Sequence, residues 1–199
     1  MRLALNKNSL KQQQDQLGMF RRFLPSLDLK RQQLQAAWKE ARTELERLEA
    51  NEVEYQKSLE PLLSLLGSST LQTQDLSRLV QVRNVVIEDE NIVGARVPVV
   101  RQIQFERVPY STLTFPFWVD QLVESLENLA RLRVELQAQR TRVERLEHAA
   151  RKITQRVNLF EKVLIPTAVE NIKRIRIALS DEERAAVVRS KLAKRKHRN

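Results

Sequence analysis

The chain has 199 residues and a net charge of +10, and it contains three glycines and no cysteine. So few glycines, with aromatic residues at only 5%, argue against a compact globule with many turns and favour an elongated helical protein. Without cysteine there are no disulfides or thiolate metal sites, and no apolar run approaches the roughly 18 residues that span a bilayer. The N-terminus does not resemble a signal peptide, so we expect a soluble, cytoplasmic protein.

Residues 1–70 are predicted to form a first coiled-coil arm. At every seventh position from Leu10 to Leu66, seven of nine residues are apolar, and seven of eight are apolar in the series from Gln13 to Leu62. A 3–4 apolar spacing sustained over this length is typical of a left-handed coiled coil, because the apolar seam must follow a partner helix.

The ends and the interior of this arm carry further signals. Asn6 or Asn8 can cap the start of the helix, and Gly67 can end it. Pro25 lacks an N–H donor and its ring crowds the preceding turn, but the heptad phase is kept across it. We therefore expect a bend at Pro25 and not two unrelated helices.

The segment 71–115 changes character and is predicted to hold a small β-hairpin. Residues 80–87 are alternating or β-branched, residues 88–91 indicate a turn, and residues 92–105 have an extended pattern interrupted by Pro98. A lone hairpin is only marginally stable in water, so this one must lean on the helices or on a partner.

The apolar face of this hairpin is a candidate partner surface. Gly94 would allow another backbone to approach closely, because it has no side chain. The residues predicted to line the apolar face are Val82, Val86, Ile92 and Val97.

Ahead of the hairpin, residues 71–79 are predicted to form a short helix.

Residues 116–185 are predicted to form a second coiled-coil arm, with Pro116 in its first turn. The two apolar series of this arm are Leu122, Leu129, Leu136, Val143, Ala150, Val157 and Leu164, and Leu132, Leu146, Ile153 and Phe160. Two long arms joined by a short insert most simply fold back as an antiparallel pair. The predicted fold class is therefore mainly α, a long antiparallel two-helix coiled coil with a small central β-hairpin insert.

Pro166 interrupts the second arm and should bend it. The apolar stripe beyond it consists of Ile165, Ile172 and Leu179, flanked by Ala168 and Ile175. This change of phase predicts that the end of the arm packs differently from the rest.

The last segment, residues 186–199, is a basic tail. From Arg184 to the C-terminus there are seven cations and no acid, which leaves 28 basic against 25 acidic residues elsewhere. Three interpretations remain open: a frayed solvated end, a basic tip inside an acidic sleeve, or a tail on nucleic acid. No aromatic residue after Phe160 could stack on bases, which counts against nucleic acid.

The sequence offers no basis for catalysis or for a bound cofactor. None of the three glycines is near another, so a phosphate-binding loop cannot form. The two histidines, His148 and His197, have no cysteine and no nearby histidine to complete a metal site. We expect a protein that is not an enzyme and that binds no metal.

Three stretches in order resemble the D subunit of V-type and A-type rotary ATPases. They are the Leu29–Leu34 stretch, the Asn91–Pro98 stretch, and the C-terminal arm with Arg156-Val157-Asn158, Ile165-Pro166 and Glu182-Glu183-Arg184. Together they cover nearly the whole chain. Gln155, Gln32-Gln33 and Pro25 depart from the common pattern and suggest a prokaryotic branch of the family.

The resemblance implies a non-catalytic central rotor shaft that transmits torque between the catalytic hexamer and the membrane ion-translocating rotor. The implied partners are the A and B subunits of the hexamer, the F subunit of the stalk, and a socket-like adaptor subunit on the membrane rotor, with no nucleic acid and no membrane insertion. The alternatives are a freestanding coiled-coil scaffold and the F-type central stalk, although the latter carries a larger insert. The residues hypothesised to bind partners are Val82, Val86, Ile92, Val93, Gly94, Val97, Arg156, Asn158, Arg184, Arg189 and Lys191.

Overall fold

A computed structural model describes residues 3–67, 80–107 and 118–196 of the chain. The elements in order are α1 (Lys7–Gly67), β1 (Val80–Ile92), β2 (Ala95–Arg107), α2 (Trp118–Leu159), a π-helical turn (Phe160–Leu164) and α3 (Ile165–Lys196). Long helices at both ends and a two-stranded hairpin in the middle confirm the predicted fold class. The short helix predicted at 71–79 and the start predicted at Pro116 lie outside the described residues.

Among the helices in these three ranges, none is both long and apolar enough to cross a membrane.

Helix α1 begins at an asparagine cap, as predicted. The Asn6 side-chain Oδ1 accepts the Ser9 backbone N–H at 2.8 Å, and the Asn6 carbonyl accepts the Leu10 N–H at 3.0 Å. The side-chain bond satisfies one of the donors that the first turn of a helix otherwise leaves unpaired, and the carbonyl bond is the first of the helix itself.

The chain divides into two compact units. The central unit consists of residues 33–150, and the terminal unit consists of residues 1–32 together with residues 151–199. In each unit a part of α1 packs against a helix from the C-terminal half of the chain.

The helices of the central unit are antiparallel. The Gln139 side chain donates to the Ala41 carbonyl at 2.7 Å, whereas the Tyr55 hydroxyl, further along α1, donates to the Ser125 carbonyl at 3.3 Å. The residue number of the contact in α2 thus falls as the residue number in α1 rises, as it does for antiparallel helices. Arg133 pairs with Glu52 across the same interface at 3.2 Å.

The helices of the terminal unit are also antiparallel. The Asn171 side-chain amide donates to Gln13 at 3.2 Å, and the rings of Phe20 and Phe160 meet edge to face with centroids 5.4 Å apart. Edge-to-face contact is a favoured geometry for aromatic pairs because the ring edge is positive and the face negative.

The predicted heptad seams form much of the buried core in both units, as the repeat requires. Buried members of the first arm are Leu34, Ala41 and Leu59, and buried members of the second are Leu122, Leu136, Leu146, Ala150, Ile153 and Val157. The seams therefore predicted which faces of these helices turn inward.

The phase change near Pro166 has a local cause. Residues 160–164 form a π-helical turn, in which the Ile165 N–H donates to the Phe160 carbonyl five residues earlier. A π-turn accommodates one extra residue, and it stands where Pro166 cannot donate to a preceding carbonyl. The extra residue advances the seam by one position.

The buried residues beyond the π-turn agree with this advance. An uninterrupted heptad would bring Thr167, Asn171 and Arg174 to the interface. The residues that are buried are instead Ala168, Ile172 and Ile175, each one position later. The π-turn thus keeps a polar and charged stripe out of the core, which accounts for the altered packing that the sequence predicted.

Helix α1 continues without interruption through Pro25 to Gly67, so the proline does not divide it. Next to it, the Ser26 hydroxyl donates to the Phe23 carbonyl at 2.9 Å. At the other end of the chain, α3 continues beyond Ala185, where the second arm was expected to end, to Lys196. Most of the basic tail is therefore helical.

The hairpin differs from the prediction in the position of its turn. The segment 88–91 belongs to β1, and the reversal occurs at Val93 and Gly94. Both residues have positive φ, 53° and 92°, as the tight type I′ hairpin turn requires. The turn prediction at 88–91 was wrong because a run of charged residues suggested a turn, whereas these residues lie along an exposed strand.

Pro98 lies within β2, opposite Asp89, and does not interrupt the strand.

Candidate interaction surfaces

The residues hypothesised to bind partners do not form one site. Six of them lie on the hairpin in the central unit, and five lie on α2 and α3 in the terminal unit. Within the three described ranges there is no cluster of three histidine or acidic side chains that could hold a metal ion.

Ion pairs hold the tip of the hairpin against α2. Arg145 donates to the Asp89 carboxylate at 3.1 Å and to the Arg96 carbonyl at 3.2 Å, so it contacts both strands. One helical turn earlier, Arg142 pairs with Glu90 at 3.3 Å. Pairs this exposed contribute only modestly to stability, but two adjacent ones fix the orientation of the tip.

A bidentate ion pair holds the base of the hairpin. Arg107 donates from Nε and Nη2 to the two carboxylate oxygens of Glu127, the second at 2.9 Å. These hydrogen bonds, opposed by partial burial and aided by the charges of Arg107 and Arg131, lower the pKa of Glu127 from its ordinary value. The clamp is therefore charged at neutral pH.

An apolar cluster lies beneath this clamp. It consists of Trp118, Val119, Leu122 and Val123 at the start of α2, and the strand residue Val80 and the α1 residue Leu62 pack against it. The hairpin base, α1 and α2 thus meet in one core. Because this core satisfies the requirement that a two-stranded hairpin be supported, the hairpin is a fixed part of the central unit.

The strand register separates Val82 from the other residues predicted to share an apolar face. Two register shifts mark two β-bulges, and the first leaves Arg83 as an extra residue in β1, so Val82 lies on the opposite side of the hairpin from Val97. The second bulge has its extra residue in β2, so β1 alternates regularly and Val86 lies on the side of Glu90, the residue that pairs with Val97. Val97 is fully buried, whereas Val82 and Val86 remain exposed.

The exposed apolar surface of the hairpin lies on β1 and at the turn. Ile87, which the sequence interpretation did not select, is 53% exposed, and Val93 is 36% exposed at its positive φ. A β-branched residue at positive φ is strained, and such strain is commonly kept where it serves a function. Ile92 instead lines a cleft of about 700 Å³ with Ala36, Ala37 and Gln139.

The candidate residues of the terminal unit lie on helix surfaces. Arg156 is exposed and Asn158 is half-buried near the end of α2, just before the π-turn. Arg184 has an ion-pair distance of 4.0 Å to Asp181, one turn earlier in α3. Arg189 and Lys191 are exposed further along the same helix.

The end of α3 has no packed side. All residues from 181 to 195 are exposed, including Val187, Val188 and Leu192, which is 61% exposed. Apolar side chains on an otherwise charged, solvated helix are unfavourable in isolation. This segment is therefore a candidate surface for a partner.

The two units differ strongly in charge. The terminal unit contains 21 lysines and arginines against 7 aspartates and glutamates, a net charge of +14. The central unit contains 14 against 18, a net charge of −4. The sequence interpretation placed the excess charge in the tail alone, because the paired N-terminal segment of the terminal unit could not be recognised without the fold.

Arg142, Arg145 and Glu127 are structural contacts of the hairpin that the sequence interpretation did not select. Each lies outside the two apolar series of the second arm, at positions where charged residues are ordinary. No local signal separated them from other surface charges. Only the position of the hairpin beside α2 identifies them.

Comparison with known proteins gives a consistent result along the whole chain. The family profile described as the D subunit of ATP synthase matches residues 9–195. A protein of Borreliella burgdorferi, named as the D subunit of a V-type ATP synthase, is 37% identical over 202 residues, covering 100% of this chain and 98% of that protein. A protein of Chlamydia muridarum with the same name is 33% identical, covering 98% of this chain and 95% of that protein.

Proposed function

The chain belongs to the family of ATP synthase D subunits, and from this premise we propose that it serves as the central rotor shaft of a V-type ATP synthase. The D subunit is a non-catalytic central-stalk subunit of a rotary ATPase, and a freestanding scaffold is not favoured. ATP synthesis and ion transport are then activities of the whole complex. The match along the full chain is the single observation that carries this proposal.

The paired helices suit the transmission of torque. A shaft must resist twisting, and two helices locked along a continuous seam resist it better than one, because side chains of each fill the spaces between those of the other. Cross-helix contacts fasten the helices within each unit, for example Arg133–Glu52 in the central unit and Phe20–Phe160 in the terminal unit. ATP hydrolysis then belongs to other subunits, in keeping with a non-catalytic stalk.

The charge division supports an assignment of partners to units. We assign the terminal unit, at +14, to the interior of the hexamer of A and B subunits, and the central unit, at −4, to the F subunit and the socket-like adaptor. The exposed end of α3, with Arg184, Arg189 and Lys191, would run along a polar or acidic sleeve. Many weak exposed contacts suit a rotating part, because tight anchoring would stall it.

The hairpin, within the insert 71–115, is proposed as the second contact region. Its support on α2 makes it rigid, and Val82, Val86 and Val93 remain available on its exposed surface. Val97 cannot contact a partner without disrupting the hairpin, since it is fully buried. Arg156 and Asn158 complete the proposed contacts near the π-turn.

Native mass spectrometry of the co-expressed subunits tests this function. The chain is produced together with A, B and F subunits from the same genome, and the intact complexes are weighed. We expect one copy of this chain per hexamer, with F bound. A homodimer that ignores the hexamer would contradict the proposal and return the chain to the scaffold class.

A further inference from the structure

The terminal unit carries an open apolar groove between α1 and α3. The groove has a volume of about 580 Å³, and its apolar lining comes from Leu17, Val169, Ile172 and Ile177. Val169 is 44% exposed and Ile177 is 52% exposed. Both side chains therefore expose apolar surface to water in the groove. Contact with a partner would bury that surface, which is favourable.

The rim of the groove is cationic. Its charged lining residues are Arg21, Lys173 and Arg176, and no aspartate or glutamate lines it. In the part of the chain that the structure describes, none of these three makes an ion pair with a carboxylate. The neighbouring Arg174, which lies outside the groove, pairs with Glu170 in its own helix. The groove therefore presents positive charge that is not neutralised among these residues.

Gly18 lies in the same groove and has no role in the packing of the chain. It is inside α1, where glycine is less favourable than alanine, and it is not among the residues with positive φ. A Cβ added at position 18 would meet nothing within 4 Å. Neither the backbone conformation nor internal packing requires glycine here. A close approach from outside the chain would require it.

We propose that this groove binds an acidic loop of a partner protein, which inserts an apolar side chain beside Gly18 and places carboxylates against Arg21, Lys173 and Arg176. The inference rests on the proposed function, because the partner is taken to be a subunit of the A/B hexamer. A free phosphate suits the groove less well, because it would contact only the cationic rim and leave the apolar lining uncovered. The lining has no aromatic residue on which a nucleic-acid base could stack.

Substitutions at position 18 separate binding from stability. Gly18→Ala and Gly18→Leu both improve helix propensity, so both should raise the Tm of the isolated chain, by about 2–4 °C. Only leucine is large enough to fill the groove. We expect Gly18→Ala to bind the purified A/B hexamer with no more than a few-fold loss and Gly18→Leu to bind at least about tenfold more weakly. A residue with a merely structural role would not give higher stability with weaker binding.

Charge reversal at the rim gives a second, matched pair. Arg176→Glu places an acid in the groove, whereas Arg22→Glu makes the same change of net charge on α1 outside it. We expect the first variant to associate about tenfold more slowly than the second, with a rate that depends less on salt. Equal rates for the two variants would overturn the inference, because only overall charge would then matter.

Cross-linking identifies what occupies the groove. The chain has no cysteine, so Val169→Cys provides a unique attachment point for a photoactivated cross-linker, with Glu170→Cys as the control outside the groove. We expect Val169→Cys, in the assembled complex, to join an acidic segment of the A or the B protein. Cross-links to nucleic acid or lipid, or a signal abolished by millimolar inorganic phosphate, would overturn the inference.

The two proposals can fail separately. If the unmodified chain does not bind the hexamer, the proposed function and this inference both fall. If the unmodified chain binds but Gly18→Leu and Arg176→Glu bind equally well, the groove has no part in the contact and the proposed function stands.

Discussion

The central and terminal units use the same helix pairing but differ in how their charges are satisfied. In the central unit, ion pairs cross between elements: Arg140 reaches Glu49 on α1 at 2.9 Å, and Arg145 reaches Asp89 on the hairpin at 3.1 Å. In the terminal unit, the pairs Arg31–Asp28, Arg174–Glu170 and Arg184–Asp181 each lie within one helix. The surplus of cations there has too few acids to pair with.

This difference indicates where each unit obtains its stability. The central unit has an apolar cluster, a docked hairpin and cross-element ion pairs, so its parts hold one another. The terminal unit relies on a narrow seam and repels itself, because like charges on a compact body destabilise it. A negatively charged environment would relieve that repulsion, as the proposed position inside the hexamer requires.

The largest expected effect comes from emptying the core of one unit at a time. Leu146→Ala in the central unit and Ile175→Ala in the terminal unit each truncate a fully buried side chain and should each cost about 2–5 kcal/mol. Hydrogen exchange read separately for each unit should show that each substitution loosens mainly its own unit.

Val188→Ala is the control, because this exposed residue should change stability by no more than about 0.5 kcal/mol. Equal loss of protection in both units after either core substitution would break the comparison. It would mean that the two units unfold together as one cooperative body.

A smaller effect is expected at the hairpin turn. Val93→Asn should stabilise the isolated chain by about 1 kcal/mol, because asparagine tolerates positive φ and valine does not. The matched change Gly94→Ala should destabilise by about 1–2 kcal/mol for the opposite reason. Urea denaturation measures both changes.

The same variant tests the proposed contact at the turn. If Val93 packs on a partner, Val93→Asn should lower ATP turnover of the assembled complex while raising the stability of the chain. Unchanged turnover would remove Val93 from the proposed contacts. Val97→Asp is unsuitable for this purpose, because a charge at a fully buried position would unfold the hairpin itself.

The sequence predicted the helices and their buried faces because the heptad repeat is a property of the chain alone. Leu34, Leu122 and Val157 could be assigned to the core by counting. The shift at Pro166 was also visible as a change of phase. Its cause was not, because a π-turn is a compromise between the proline and the packing of the helices on both sides.

The parts that could not be predicted depend on contacts between distant segments. The turn at Val93 was missed because valine is an unfavourable turn residue, and the acidic run at 88–91 gave a stronger turn signal. The position of the hairpin on α2 determines the exposure of Val86 and the ion pairs of Arg142 and Arg145. No periodicity in a single segment encodes that position.

The smallest expected effect concerns the pH dependence of the clamp at the hairpin base. Hydrogen bonds from Arg107 hold the pKa of Glu127 below its ordinary value in the folded chain. The unfolded chain therefore takes up this proton more readily, so the clamp stabilises the fold above the unfolded pKa, at about 4.3, and the gain is lost as the pH falls through the lower folded pKa. Because Arg107 is 62% exposed, we expect a gain of about 1 kcal/mol or less.

Glu127→Gln should remove this part of the pH dependence, whereas Glu106→Gln, next to Arg107 on the strand, should preserve it. The urea midpoint measured between about pH 3 and about pH 6 reports the difference. If Glu127→Gln and the unmodified chain lose stability in parallel over that range, Arg107 does not lower the pKa of the Glu127 carboxylate. The hairpin base would then depend on the apolar cluster at Trp118 and Leu122, and the ion pairs of the central unit that matter would be those at the hairpin tip and between the helices.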